Sequence, residues 1–444
     1  MVWQELPREV MERQVGSVCG PILDALLKYI KPASEEEIEK ISMLKKQLKL
    51  GRAYISRVSS TKSIVEMLRI QYADSDIDAL LNTNPDILVA KNGVIDLRDG
   101  TLRDGSAKDW MNLRLEVKYK GRGSSTEDID LFMNDIFANN TELIEYVQRL
   151  LGYGITGHHT ERCFVIFTGD GSNGKSLLIE IIAKLLNKWF IAASGDIFFK
   201  SSKRAQNGGP TPHLAALKGA RICVKDEADP DGKFNIEMIK EITGRSLISA
   251  RALHAKFENF RPTALPILLC NHMPTFDVDD DALRDRMKVI PFSKIYTTYD
   301  DPNRPYDANN PRHGLRDSKK YEKLLTECSQ EQLLIWLVHG AVKWYANGLG
   351  ETPQCMKDAL KEYRAENDTL KTFIEEYCEI SPDYKVNAGA FRDAYKRFIG
   401  YNVQQTVLVK MMKKRKYEHV QARVGESKSV QKIYKGLQLV PSYR

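Results

Sequence analysis

The residues best equipped for chemistry lie in one stretch, Gly169-Asp170-Gly171-Ser172-Asn173-Gly174-Lys175-Ser176. Its glycines permit a tight turn in which successive backbone N–H groups face one point, and a helix starting directly behind such a turn adds positive potential there. Lys175 then reaches the β- and γ-phosphates of a nucleotide, and the Ser176 hydroxyl holds Mg²⁺. The flanks suit this reading of the loop as a site for ATP and Mg²⁺. Cys163-Phe164-Val165-Ile166-Phe167 reads as a buried strand, and apolar residues at 177, 178, 181, 182, 185 and 186 recur at helical spacing. A glycine-rich turn without a ligand is the alternative, and the strand before and helix after weigh against it.

Hydrolysis needs more than a phosphate cradle. Arg221-Ile222-Cys223-Val224-Lys225-Asp226-Glu227 is a short apolar strand ending in two acids, interrupted by Lys225. Asp226 there positions Mg²⁺ and Glu227 polarises the attacking water, because phosphoryl transfer requires charge to be neutralised and a nucleophile to be aligned. A second buried run, Leu265 to Cys270, ends in Asn271. That amide can sense the γ-phosphate or orient the water, and as a turn-former before His272-Met273-Pro274 it also has an ordinary use. Arg284 and Arg286 precede the strand-like Met287-Lys288-Val289-Ile290-Pro291. Such arginines act as fingers on a neighbouring subunit's γ-phosphate or sit in a solvated, salt-bridged turn.

The rest of the chain must position these groups. With 444 residues the length suggests about three domains. A hydrophobic share of 42% with 28% charged residues is that of a soluble globular protein. No apolar run approaches ~18 residues and the first residues lack a signal pattern, so a soluble, intracellular protein without membrane contact is expected. The seven cysteines never form a C-x-x-C pair, which supports neither a disulfide framework nor a zinc site. Charge is lopsided. Residues 384–444 hold 14 Lys or Arg against 3 Asp or Glu, a net +11, and the remainder carries −4. A basic module on a nearly neutral body suggests a polyanionic partner.

In chain order, residues 1–72 are mostly helical in pattern, with a capping box at Ser34-Glu35-Glu36-Glu37. Residues 86–119 read as short strands and turns, with Asn92-Gly93 as a hairpin signal, and 121–125 as a linker. Helices are expected from 125 and over 143–151. Residues 297–320, rich in Asn, Pro, Asp and Arg, read as a surface insertion. An apolar helix over 333–344 belongs to the core. The final module reads as helices over 388–399 and 404–416 followed by strands over 418–424 and 432–439. Its second helix carries Lys410, Lys413, Lys414, Arg415 and Lys416, a set suited to tracking phosphates.

Taken together, Thr168 to Ser176, the acidic strand end, the strand ending in Asn271, and Arg284-x-Arg286 before Val289-Ile290-Pro291-Phe292 resemble a superfamily 3 helicase. The nearest subgroup is the helicase part of poxvirus-type and phage or plasmid primase-helicases. Three stretches add to the likeness: Asn92-Gly93-Val94-Ile95-Asp96-Leu97, Gly152-Tyr153-Gly154-Ile155-Thr156-Gly157, and residues 360–368. The resemblance runs from about residue 75 to the end. It implies an α/β fold with an AAA+-like phosphate-loop ATPase core over 125–355, an N-terminal, mainly helical collar over 1–124, and a C-terminal winged-helix, DNA-binding module over 356–444. It further implies a homo-hexameric ring that translocates 3′ to 5′ on single-stranded DNA at forks, with a primase in cis or in trans. Residues 1–120 resemble no primase, so the chain is expected to be the helicase portion of a longer protein. Within that likeness Arg284 and Arg286 reach across from an adjacent protomer, either being the finger. A DNA-gripping hairpin falls at residues 248–260, with Arg251, His254 and Lys256 near its tip, and Lys413, Lys414, Arg415 and Lys416 contact DNA. A packaging or remodelling ATPase without unwinding, and an ATP-regulated origin-binding scaffold, remain as alternatives.

Overall fold

Runs of four to six apolar residues bounded by turns become the strands that frame the molecule. The computed structural model describes residues 8–29, 37–55, 57, 62–67, 80–200, 210–227, 232–253, 255, 257–271, 274, 280–400, 403–424 and 429–441. It divides into two compact units, residues 1–95 with 102–116 and residues 96–101 with 117–444. In the first unit, helices Arg8–Tyr29 and Glu37–Ile55 pack on one another and are tied by Arg52 and Asp24 at 3.0 Å. The capping box expected at Ser34 lies outside the described residues. Strands β1 (Ile87–Ala90), β2 (Gly93–Asp96) and β3 (Thr101–Arg103) form a three-stranded sheet in that order, with Lys91 and Asn92 in the first turn and Gly93 opening β2, where the sequence predicts a hairpin. No described helix is long and apolar enough to cross a membrane.

The second unit is built on a parallel sheet. Its strands are β4 (Phe164–Thr168), β5 (Phe190–Ala192), β6 (Ile222–Lys225), β9 (Leu265–Cys270) and β10 (Met287–Pro291), in the spatial order β10-β4-β9-β6-β5. Every residue of β9, and Phe164 to Phe167 of β4, is buried, as strands covered on both faces require. Between β6 and β9 the short strands β7 (Ile248–Ala250) and β8 (Glu258–Phe260) pair as an antiparallel hairpin. After β10, β11 (Ile295–Thr297) and β12 (His313–Leu315) pair in parallel.

Helices brace this sheet. Thr141–Gly154 starts on Asn140, whose side chain accepts from the Leu143 N–H, and Glu327–Asn347 starts on Thr326, which accepts from Ser329. The two helices meet with almost no side chain between them. A Cβ placed on Gly340 would lie 1.9 Å from the Gln148 carbonyl oxygen, and one on Gly152 would lie 2.2 Å from the Ala341 nitrogen. The apolar 333–344 run is buried there, as expected for core.

The C-terminal part adds helices Gln354–Asn367, Thr369–Tyr377, Ala388–Ile399 and Gln405–Lys414, with strands β13 (Cys378–Asn387), β14 (His419–Val424) and β15 (Ser429–Leu439). The antiparallel sheet β13-β15-β14 closes over its own core of Phe373, Phe391, Tyr395, Leu408, Met412 and Tyr434. The sequence predicts only two strands here. The third, β13, carries a Ser381-Pro382-Asp383 turn signal at its centre, and the ladder accommodates it by a register shift between Ile380 and Lys385.

Candidate nucleotide-binding site

Parallel register brings the chemistry to one edge. Thr168 of β4 lies opposite Cys270 of β9 and Pro291 of β10, and Lys225 of β6 lies opposite Leu268. The residues that follow each strand, Gly169, Asn271, Asp226 and Phe292, therefore emerge side by side at the carboxyl ends, where open α/β sheets bind ligands. The loop is pulled tight against this edge. Gly169 has φ 154°, and a Cβ there would sit 2.4 Å from both the Phe292 carbonyl oxygen and Asn173 Nδ2, so no other residue fits.

Lys175 opens helix Lys175–Leu186 and is buried. Its Nζ donates to the Gly169 carbonyl at 2.8 Å, to Asn173 Oδ1 at 3.0 Å and to Asn271 Oδ1 at 3.1 Å. Burial pushes its pKa down, against the pull of Cys270, Asp170 and Asp226. Asn173 Nδ2 is buried without a hydrogen-bond partner among the described residues, a donor open to an oxygen ligand. Asp226 and Glu227 are exposed at the end of β6. Glu227 takes φ 54°, and its N–H donates to Asp226 Oδ1 at 3.0 Å.

Gly171, Ser172, Asn173, Gly174, Lys175, Ser176, Asp226, Glu227 and Asn271 line one cavity of about 500 Å³, within the range of nucleotide-sized sites. Its donor set fits a polyphosphate and a divalent ion: an ammonium and an orphaned amide for phosphate oxygens, with a hydroxyl and a carboxylate for the metal. Gly169 and Asp170 form the approach to the loop and do not line it. Residues 297–320 were expected to be a surface insertion, and the structure gives that stretch and its flanks a further part. They close the cavity with Tyr296, Leu315, Arg316, Asp317, Lys320 and Tyr321. Composition hides that role, because Asn, Pro and Asp mark turns without saying what the turn covers.

Other sequence-predicted residues lie elsewhere. Arg284 pairs with Asp281 at 2.5 Å and Asp285 at 2.9 Å. Arg286 donates from Nε to Thr243 Oγ1 at 3.0 Å and from Nη1 to the Ala282 carbonyl at 2.7 Å. Neither lines the cavity of its own chain. Arg251 follows β7 with its guanidinium 4.9 Å from the Phe257 ring. His254 and Lys256 lie outside the described residues. Lys413 and Lys416 are exposed, and the side chain of Lys414 is outside the described set. Arg415 is drawn out of the basic cluster: its Nη2 bonds Asp368 Oδ1 at 2.5 Å, and Asp368 also caps helix Thr369–Tyr377.

The fold and site thus define an α/β chain that presents a glycine-rich phosphate-type loop at the carboxyl edge of a parallel sheet. The family described as "D5 N terminal like" matches residues 1–138, and a family of unknown function (DUF5906) matches residues 167–286. The "Putative helicase L207/L206" of Acanthamoeba polyphaga mimivirus is 31% identical over 302 residues, 67% of this chain and 31% of that protein. The "Putative primase C962R" of African swine fever virus is 22% identical over 398 residues, 86% of this chain and 41% of that protein. Among solved structures, the A form apo structure of the NrS-1 C-terminal region is 12% identical with a TM-score of 0.41, covering 80% of this chain and 83% of that one. These likenesses to D5-like viral proteins support the superfamily 3 helicase and primase-helicase family that the motifs resemble. It spans about a third to two fifths of these two viral relatives. The likeness reaches residue 1, well ahead of residue 75, where the sequence motifs begin.

Proposed function

We propose that the chain is the ATP-hydrolysing helicase portion of a viral, phage or plasmid primase-helicase. The observation that carries this is the convergence of Lys175, Asp226, Glu227 and Asn271 on one cavity through the register of three adjacent strands. The loop N–H groups and Lys175 hold the β- and γ-phosphates, and Ser176 with Asp226 would hold Mg²⁺. Mg²⁺ supplies charge neutralisation on the phosphate oxygens when bound. Glu227 takes the proton of the attacking water and Asn271 orients that water against the γ-phosphate.

Arg284 and Arg286 do not line the cavity of their own chain, which supports one of them completing the site in trans from an adjacent protomer in a hexameric ring. In this reading residues 125–355 are the AAA+-like core, for which the strand order β10-β4-β9-β6-β5 speaks, and 1–124 are the collar. Residues 356–444 are the winged helix, supported by the helices between β13 and β14 and by the order β13-β15-β14. The β7–β8 hairpin, with Arg251, His254 and Lys256, grips single-stranded DNA through its backbone phosphates, and Lys413, Lys414 and Lys416 dock it. Translocation runs 3′ to 5′, at replication forks in an intracellular setting, with a primase in cis or in trans.

The test is ATP hydrolysis with and without single-stranded DNA, run beside strand displacement on forked duplexes of both polarities. DNA-stimulated hydrolysis with displacement supports the proposal. Stimulated hydrolysis without displacement on any fork leaves a packaging or remodelling motor instead, and DNA binding without turnover leaves a scaffold.

A further inference from the structure

The apex of the phosphate loop is held from outside by the chain that follows β10. The Tyr296 N–H donates to the Ser172 carbonyl at 2.6 Å. Arg304 Nη1 donates to the Asp170 carbonyl at 3.3 Å, Arg312 Nη2 lies 3.5 Å from Asp170 Oδ2, and Arg316 Nη2 donates to Ser172 Oγ at 3.1 Å. Of these three arginines only Arg316 lines the cavity. Its contact there is a neutral hydroxyl, whereas the other cation from this segment at the cavity, Lys320, has its charge met by Asp135 at 2.6 Å.

The residues around Arg316 bear on what it can meet. Leu315, Tyr321 and Leu324, its neighbours in the chain, line the same cavity and give it apolar surface of the kind that accepts a nucleobase. Asp226, Glu227 and Asn271 come instead from the strand ends. Arg316 comes from the same segment as that apolar surface and touches the loop at Ser172, a combination that suits the phosphates nearer the nucleoside. A guanidinium suits that task because it keeps its charge at any working pH and presents parallel N–H donors to phosphate oxygens.

We infer that Arg316 is a phosphate-binding residue acting within its own chain, its guanidinium turning from Ser172 Oγ to the α- and β-phosphates that a nucleoside diphosphate retains. This rests on the nucleotide reading of the site and adds to it. Arg316 holds the diphosphate product as firmly as the triphosphate, while Lys175 and Asn271 attend to the terminal phosphate. Together with the contacts of Arg304 and Arg312, it makes the segment after β10 part of the binding machinery.

Equilibrium titration of the full chain with fluorescent ADP and with a non-hydrolysable ATP analogue tests this, using wild type, Arg316→Ala, Arg316→Gln and Arg316→Lys. A charge-assisted contact predicts that the Ala and Gln variants lose about ten- to hundredfold in affinity for both nucleotides alike, and that Lys keeps most of it. Gln can still donate to the Ser172 hydroxyl, so wild-type binding by the Gln variant would reduce Arg316 to a support for the loop and overturn the inference. Unchanged binding by the Ala variant, or a loss confined to the triphosphate, overturns it as well. A wild-type chain that binds neither nucleotide removes the underlying reading too, and is distinguished by that control.

Discussion

Lys175 Nζ lies 3.1 Å from Asn271 Oδ1, although the two residues are 96 positions apart. The contact follows from register, since Thr168 and Cys270 are paired across β4 and β9 and the chain leaves both strands at one edge. Asn271 is thereby fixed beside the ammonium that the proposed function assigns to the terminal phosphate. Asn271→Ala should lower kcat by about ten- to hundredfold while changing nucleotide affinity less, because an oriented hydrogen bond is lost where charge develops. Steady-state hydrolysis beside equilibrium binding separates the two, and a purely ground-state loss would remove Asn271 from the reaction.

Glu227 stands at positive φ with its N–H on Asp226 Oδ1, and the proposed function gives the two acids different tasks. Glu227→Gln should bind ATP nearly as wild type and lose turnover by at least about a hundredfold. Single-turnover hydrolysis checks this. A Gln variant that hydrolyses ATP at the wild-type rate rules out Glu227 as the base.

Arg284 and Arg286 are absent from the cavity lining of their own chain, which predicts a site shared between protomers. Lys175→Ala and Arg286→Ala chains should each be inactive alone and regain part of the hydrolysis rate when mixed, since one interface in a mixed ring pairs an intact loop with an intact arginine. The mixing should be followed by mass photometry. If mixed rings form and no ratio restores activity, sharing through Arg286 is excluded.

His159 contributes a pH dependence to this unit. Burial pushes its pKa down to about 4, with His158, Arg221 and Arg261 adding to the shift, and Nε2 has no hydrogen-bond partner among the described residues. A folded-state pKa below the unfolded value of 6.5 means stability is fully present above pH 6.5 and is lost as pH falls toward 4. His159→Leu should flatten the urea-unfolding free energy between pH 6.5 and 4.5 by up to about 1.4 kcal/mol per pH unit. Parallel pH profiles for the two proteins would contradict this.

At the crossing of Gly152 and Gly340, an added methyl meets backbone and cannot rotate away. Gly340→Ala should cost about 1–3 kcal/mol or more through forced separation of the two helices, read as a lower urea midpoint. An unchanged midpoint would mean that the helices part freely.

Much of this was legible in the sequence where one principle acts alone. The phosphate loop, the acidic end of β6 and the strand before Asn271 each announce themselves through local pattern, and strand-helix context points them at one ligand. Arg316 was not legible, because its meaning depends on β11 and β12 folding back over Ser172, a long-range event that loop composition conceals. β13 was missed because a central turn signal competes with its ladder, and tertiary pairing with β15 wins. Arg415 read as part of a basic face, yet it is half-buried and paired with Asp368. Local chemistry is written in short stretches; who covers whom is decided by pairing across a hundred residues.

The place of β4 in the sheet has a consequence for how the protein is made. Its two neighbours, β9 and β10, are residues 265–270 and 287–291, so the strand that carries the loop emerges from the ribosome with neither edge occupied. Phe164, Val165, Ile166 and Phe167 must wait, apolar and unpaired, until about 120 further residues exist, and such non-local pairing forms slowly. The growing chain is thus most prone to self-association between the synthesis of β4 and that of β10, and nucleotide cannot rescue it then, because the cavity does not yet have walls. Ribosome-bound chains stopped near residue 260 should require chaperone capture, and those stopped beyond residue 330 should not.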